Sequence, residues 1–365
     1  MGADSGVGHT VLGDRAGRYS GDVKIVGALL LLSLAALAAY IAFGGPRLSA
    51  AAQRVIKEVV SGDTPSVLRG RTGYARSGSI QLWYEDLTPD APVVGTVLLM
   101  IGMGGDALMW PRAFIDTLLA AGFRVVRFDQ RGTGLSDWME TWKRKNAYSL
   151  TDLSDDALAI LDHLGVERAH VCGLSLGGMV AQELAIQHPS RIASLVLIST
   201  SPDVTDESLP MMKMGYLLRT AGQSLPLLRY RIAGGEENLV KERVAKLTLV
   251  HPDPPLEDVR DLAQHVIYDL RSRRGFHASA ILQHQAAAAV SRRRSALLAD
   301  LRVPTLVVHG ERDPMLPIEH GRRLAQLIPS AKALFLPDAG HVLLYPPMPS
   351  VMNAIVDHLQ VAPSE

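Results

Sequence analysis

Residues 169–185 read AHVCGLSLGGMVAQELA. A short apolar run, strand-like in length, ends at Gly173, and a pattern at helical spacing starts beyond Ser175. A small polar residue therefore stands where a strand hands over to a helix, flanked by Gly173 and Gly177. A sharp turn there lifts the hydroxyl clear of both elements. Side chains at 173 and 177 would collide with neighbouring backbone, which calls for glycine. The carboxyl ends of strands in an open parallel sheet are where ligands bind. The N–H groups of the following helix point at the same spot. A serine hydroxyl is a weak nucleophile, so chemistry at Ser175 requires a base nearby.

Working outward, strand and helix signals alternate. Residues 72–78 and 79–87 form a hairpin pattern about a Ser-Gly turn. Residues 93–101, VVGTVLLMI, are a near-continuous apolar run, as a buried strand requires. A helix follows over 111–122, a strand over 123–129, a helix over 149–165, the strand at 168–173, its helix, and a strand over 192–200. This order predicts an α/β fold, a mainly parallel central sheet with helices on both faces. Residues 203–300 carry no buried-strand pattern and read as helices over 207–221, 238–250, 256–274 and 277–290, an insertion of the cap or lid type. The sheet resumes with VPTLVVHG at 303–310 and AKALFLPD at 331–338, and a last helix follows Pro347. The core is thus expected over 72–202 and 301–365, with the cap at 203–300 between its parts.

The N-terminal 71 residues differ. Residues 1–22 read as a disordered tail. Ile25–Phe43 contains no charge and, at the helical rise, would span about 28 Å, close to a bilayer's hydrocarbon thickness. A single-pass membrane helix over 23–43, in contact with lipid, is the expectation, with a cleaved signal peptide ending at LSA, 48–50, as its rival. Basic residues flank both ends, so the side on which the remainder lies is not fixed. Residues 44–71 read as a linker that includes amphipathic helical turns over 48–60.

Composition narrows the function classes. Hydrophobic residues make up 47% and charged residues 20%, enough apolar material for a substantial core. Lys plus Arg and Asp plus Glu are 37 each, and zero net charge gives no general attraction to nucleic acid. The basic runs 271–274 and 292–294 read as solvated helix faces. Cys172 is the single cysteine, which excludes an intramolecular disulfide and a cysteine metal site. Its apolar surroundings point to a buried, inert thiol.

Gly173-Leu174-Ser175-Leu176-Gly177 resembles the nucleophile elbow of the α/β-hydrolase family. That family orders its triad as serine, then acid, then histidine. The resemblance implies Asp313, past the strand at 303–310, as the acid and His341, past the strand at 331–338, as the base. Glu311 and Asp203 remain alternatives for the acid. It further implies an oxyanion hole from the N–H groups of Leu176 and of Met103, in the loop Ile101-Gly102-Met103-Gly104-Gly105. Many members begin that loop with His-Gly, a histidine absent here. The donor is backbone, so the hole does not depend on it. Met-Gly loops of this kind resemble the esterase branch that includes anthracycline methyl esterases. The loop Asp129–Asp137 also resembles a family motif, with Asp129 and Arg131 tying it down. The implied function is two-step hydrolysis of an ester through an acyl-enzyme, with no metal and no organic cofactor. The apolar helix expected over 23–43 and the stretch LPMMKMGYLL at 209–218 point to a small-molecule ester that is apolar or lipid-like. A thioester or carbon–carbon hydrolase on the same triad, or a ligand-binding relative with little turnover, is the alternative.

Overall fold

Eight strands form one sheet in the order β1-β2-β4-β3-β5-β6-β7-β8 in this computed structural model, which describes residues 11–250, 253–343 and 348–361, without the side chains of 11–25, 27 and 250. The strands are β1 (Arg71–Ser77), β2 (Ile80–Leu87), β3 (Gly95–Met100), β4 (Phe123–Phe128), β5 (Ala169–Leu174), β6 (Ile192–Ile198), β7 (Thr305–Gly310) and β8 (Ala331–Leu336). β1 pairs antiparallel with β2, and β2 with β4; every later pair is parallel. The helices, in chain order, are α1 (Val11–Phe43), α2 (Ala50–Ser61), α3 (Arg112–Ala120), α4 (Leu150–His163), α5 (Leu176–Gln187), α6 (Met214–Ser224), α7 (Leu228–Ala233), α8 (Glu236–Val250), α9 (Leu256–Ser272), α10 (Ala278–Val290), α11 (Ser295–Ala299), α12 (Ile318–Leu327) and α13 (Pro349–Val361).

Alternation along the strands builds two cores. Leu98, Met100, Val171 and Leu195 face α4, α5 and α12 on one side, among Ile160, Val180 and Leu324. Val97, Leu99, Cys172 and Val196 face α3 and α13 on the other, among Phe114, Leu118 and Ile355. Burial pushes the Cys172 thiol far up, so it stays protonated and inert. With both faces covered, β3 to β7 are buried throughout their middle while the edge strand β8 is partly exposed, and the site sits at the carboxyl ends of the parallel strands.

The insertion is helical, α6 to α10. Its first helix starts only at Met214, because Pro210 interrupts the pattern read over 207–221. A third core lies inside it: Val240, Val244, Val259, Ala263 and Ile267 of α8 and α9 enclose Val55, Ile56 and Val59 of α2. The linker expected over 44–71 thus contains a packed helix. Ser49 caps it by accepting the Ala52 N–H at 3.1 Å, and each buried Val or Ile contributes about 1.5–3 kcal/mol.

The membrane expectation is overturned. Among the described residues no helix is long and apolar enough to cross a membrane. The end of α1 is also held by protein: the Tyr40 hydroxyl donates to Gly222 O at 3.1 Å, and Arg229 donates to Gly44 O and Pro46 O at 2.6 and 2.7 Å. The LSA stretch is the capped start of α2, with Leu48 in the third core. As for the tail read over 1–22, α1 takes in its second half, and residues 1–10 lie outside the described residues.

The two basic runs also differ from solvated helix faces. Arg273 is fully buried against Asp129, and Arg294 is buried as well. Arg271 pairs with Glu236 and donates to Gly62 O and Val60 O, closing the cap onto α2.

Candidate active site

Ser175 joins β5 to α5 with φ 54° and ψ −116°, a left-handed conformation that few L residues adopt. Four bonds hold it there. Its N–H donates to Ile198 O at 2.9 Å, and its carbonyl accepts from the Thr200 hydroxyl at 2.6 Å and from the Gly178 and Met179 N–H groups at 3.0 and 3.2 Å. The glycines answer to space: a Cβ at 173 would lie 2.5 Å from Gly177 O, and one at 177 would strike the Met100 carbonyl. The crowding that forces the strain also turns the Ser175 side chain outward.

The three side chains named from sequence meet. His341 Nε2 lies 3.1 Å from Ser175 Oγ, and His341 Nδ1 lies 2.7 Å from Asp313 Oδ2. The other carboxylate oxygen, Oδ1, accepts the Met315 and Leu316 N–H groups at 2.8 and 2.9 Å. Burial favours the neutral acid here. Hydrogen bonds from His309 and His341, with the Leu316 N–H, outweigh it and hold Asp313 well below the usual carboxylate range. The carboxylate is therefore ionised and aimed at the imidazole. Neither alternative reaches that position. Asp203 Oδ1 accepts from Thr205 N and Oγ1 at 2.8 and 2.7 Å, closing a turn, and Glu311 faces Arg322 at 3.5 Å.

Sequence reading did not single out His309. Its Nε2 is 2.8 Å from Leu316 O and 3.4 Å from Asp313 Oδ2, behind the acid. Its position at the end of β7, four residues before Asp313, is the signal that would have found it.

The loop between β3 and α3 turns directly over Ser175. Gly102 O accepts the Gly105 N–H at 3.1 Å, and Gly104 has φ +68°, so residues 102–105 make a type II turn with glycine at its third position. A Cβ at Gly102 would sit 3.4 Å from Ser175 Cβ. Because the peptide unit is planar and trans, the Met103 N–H points opposite Gly102 O. The Gln130 side-chain amide steadies the loop by donating to Ile101 O at 2.9 Å. Neither the Met103 nor the Leu176 N–H has a hydrogen-bond acceptor among the described residues.

A second loop, 129–137, lies beside the first. Asp129 accepts the Ala107 and Leu135 N–H groups at 2.9 and 2.8 Å, and Arg131 pairs with Asp156 at 2.6 Å. Gly132 and Gly134 carry positive φ. Arg273 reaches down from the cap to Asp129 and lies over the Trp83 ring at 4.9 Å. Asp129 and Arg131 thus serve structure and touch none of the triad. Among the described residues no cluster of histidine, cysteine, aspartate and glutamate is arranged to hold a metal ion.

The sequence profile of the α/β-hydrolase fold family matches residues 95–346. Rhodomycin D methylesterase DauP of Streptomyces sp. (strain C5) is 31% identical over 296 residues, covering 78% of this chain and 96% of that protein. A hydrolase of known structure from Pseudomonas aeruginosa PA01 is 26% identical, with a TM-score of 0.57, over 80% of this chain and 98% of that one. The meta-cleavage product hydrolase CumD from Pseudomonas fluorescens IP01 is 22% identical at a TM-score of 0.57, over 80% and 97% of the two chains. That last likeness is one of fold.

Proposed function

Because the chain belongs to the α/β-hydrolase fold family, we propose that it is a serine hydrolase that cleaves a carboxylic ester through an acyl-enzyme. The observation that carries this reading is the unbroken relay from Asp313 through His341 to Ser175 Oγ, at 2.7 and 3.1 Å.

Asp313 accepts the Nδ1–H of His341, which leaves Nε2 free to take the serine proton. Ser175 Oγ attacks the carbonyl carbon as that proton moves to Nε2, and the carbonyl oxygen gains charge. The N–H groups of Leu176 and Met103 receive it, and each such donor is worth about 10²–10³ in rate. The imidazolium, steadied by ionised Asp313, then protonates the leaving alcohol. Water, deprotonated by His341, opens the acyl-enzyme and restores the hydroxyl. Every proton in the cycle is carried by His341.

An exposed apolar face at the start of the insertion supports an apolar substrate. Met211, Met214 and Leu218, at the start of the cap and on α6, are 85%, 65% and 66% exposed, so they do not fill the cap's interior. Pro210, just before them, is tied to the rim of the site, because His320 Nε2 lies 2.9 Å from its carbonyl and Nδ1 lies 2.8 Å from Ser201 Oγ. An apolar surface leading from the rim suits an apolar acyl or alcohol group. The relative named rhodomycin D methylesterase is by that name an esterase, a reaction class in keeping with this site.

Fluorophosphonate labelling and turnover of p-nitrophenyl esters of rising chain length test the proposal. Labelling at Ser175, abolished together with turnover in folded Ser175→Ala, is the expected result. Ester turnover by Ser175→Ala at the parental rate would end the proposal, and a sharp preference for acetyl would remove its apolar part.

A further inference from the structure

We infer that His284, on the cap helix α10, is a positioning residue that fixes the oxyanion loop by accepting the Gly104 N–H. The inference rests on the serine-hydrolase reading above and adds a residue from outside the triad.

His284 Nδ1 accepts the Gly104 N–H at 3.0 Å, and its Nε2 lies 3.0 Å from Arg131 O. Arg131 O is an acceptor only, so Nε2 carries the proton and Nδ1 the lone pair. A single neutral tautomer satisfies both contacts, and an imidazolium would set one N–H against another. Burial pushes the imidazole down to about 4, helped by the nearby Arg131 and His277 charges and opposed by the bond to Arg131 O. The Tyr148 ring stands edge-on at 6.2 Å, so the ring is enclosed on that side as well.

The bonded amide decides the shape of the turn. Type I and type II turns differ mainly by a flip of the central peptide, here Met103–Gly104. His284 Nδ1 holds the N–H of that peptide in the type II orientation. Ile281, one helical turn earlier on α10, fills the space beside Gly104: a Cβ there would meet its Cγ1 at 2.5 Å. The turn's first peptide, Gly102–Met103, carries the proposed oxyanion donor. The same helix also touches loop 129–137, through the His277 Nδ1 contact with Gly132 O at 2.8 Å, and the chain just beyond it, through Gln283 Nε2 to Met139 O at 3.2 Å. The cap therefore does more than cover the site; one of its helices sets half of the hole.

Full-length protein is compared with His284→Leu, His284→Asn and Ser175→Ala on p-nitrophenyl butyrate, after circular dichroism shows each to be folded. Asn places an acceptor oxygen near the Nδ1 position, and Leu offers none. A misplaced loop should lower kcat of His284→Leu roughly 10- to 100-fold with KM within about 3-fold. His284→Asn should recover kcat to within about 5-fold of the parent. Parental kcat in His284→Leu, a loss confined to KM, or Asn as poor as Leu overturns the positioning role. Parental turnover by Ser175→Ala instead sinks the serine-hydrolase reading, a separate failure. A readout independent of turnover is ¹⁵N NMR of the resting protein: His284 is expected neutral with its proton on Nε2, and a proton on Nδ1 overturns the inference.

Discussion

Replacing Ser175 with glycine should make the protein more stable than replacing it with alanine. Both substitutions remove the hydroxyl, so both lose the 3.1 Å contact with His341, and that loss cancels in the comparison. Alanine keeps a Cβ at φ 54°, ψ −116°. A non-glycine residue held in such a region stores about 1–3 kcal/mol. Glycine releases that strain but adds freedom to the unfolded chain, at a cost of about 0.5–1 kcal/mol. The difference leaves Ser175→Gly above Ser175→Ala by up to about 2.5 kcal/mol. At an unstrained position the order reverses, so the sign alone is diagnostic. Urea unfolding followed by circular dichroism, with equal m-values for the two variants, provides the measurement. Alanine more stable than glycine would refute the strained elbow, and with it the account of why the hydroxyl faces outward.

Asp313→Asn should leave the fold intact and lower kcat by about 10⁴-fold, because an amide at 313 can favour the wrong imidazole tautomer. The same change at Asp203 should leave kcat within a few-fold, and the reverse pattern would move the acid. Stability should fall on acidification. Burial depresses His170, His265 and His284 from 6.5 to about 4. The unfolded chain therefore takes up those protons first. The stability they contribute is whole above about pH 6.5 and is lost as the pH falls toward about 4, at most about 3 kcal/mol for each. Urea midpoints across that window should drop, and a flat or rising profile would show that these rings are protonated in the folded state.

Much of the sheet was legible because buried parallel strands are short, apolar and bounded by glycine, as at VVGTVLLMI and RAHVCG. Ser175, Asp313 and His341 are named from the family resemblance, helped by strand ends visible just before each, and the fold brings the three side chains within hydrogen-bond reach. The contributions of helices were less so. Val55, Ile56 and Val59 have helical spacing in sequence, but nothing local says that their partners lie about 190 residues away on α8 and α9. The run at 25–43 reads as apolar from sequence alone, whereas the hydrogen bonds that fasten its end come from residues 222 and 229, far along the chain. His284 sits among glutamines and alanines that resemble any helix surface. Its role depends on a glycine amide 180 residues earlier. Arg273 reads as one more surface cation until the fold places Asp129 opposite it.

The position of α2 bears on how the molecule can be trimmed. A chain begun at the first strand, the cut that the strand and helix pattern invites, would leave the seat of that helix empty. Val240, Val244, Val259 and Ile267 would then face water, a patch of the kind that promotes self-association. Arg271 would also lose its acceptors at Val60 and Gly62. Since α9 leads directly into Arg273, which pairs with Asp129, damage at the amino end would be passed to loop 129–137 beside the candidate site. A cut ahead of Gly44 spares all of these contacts.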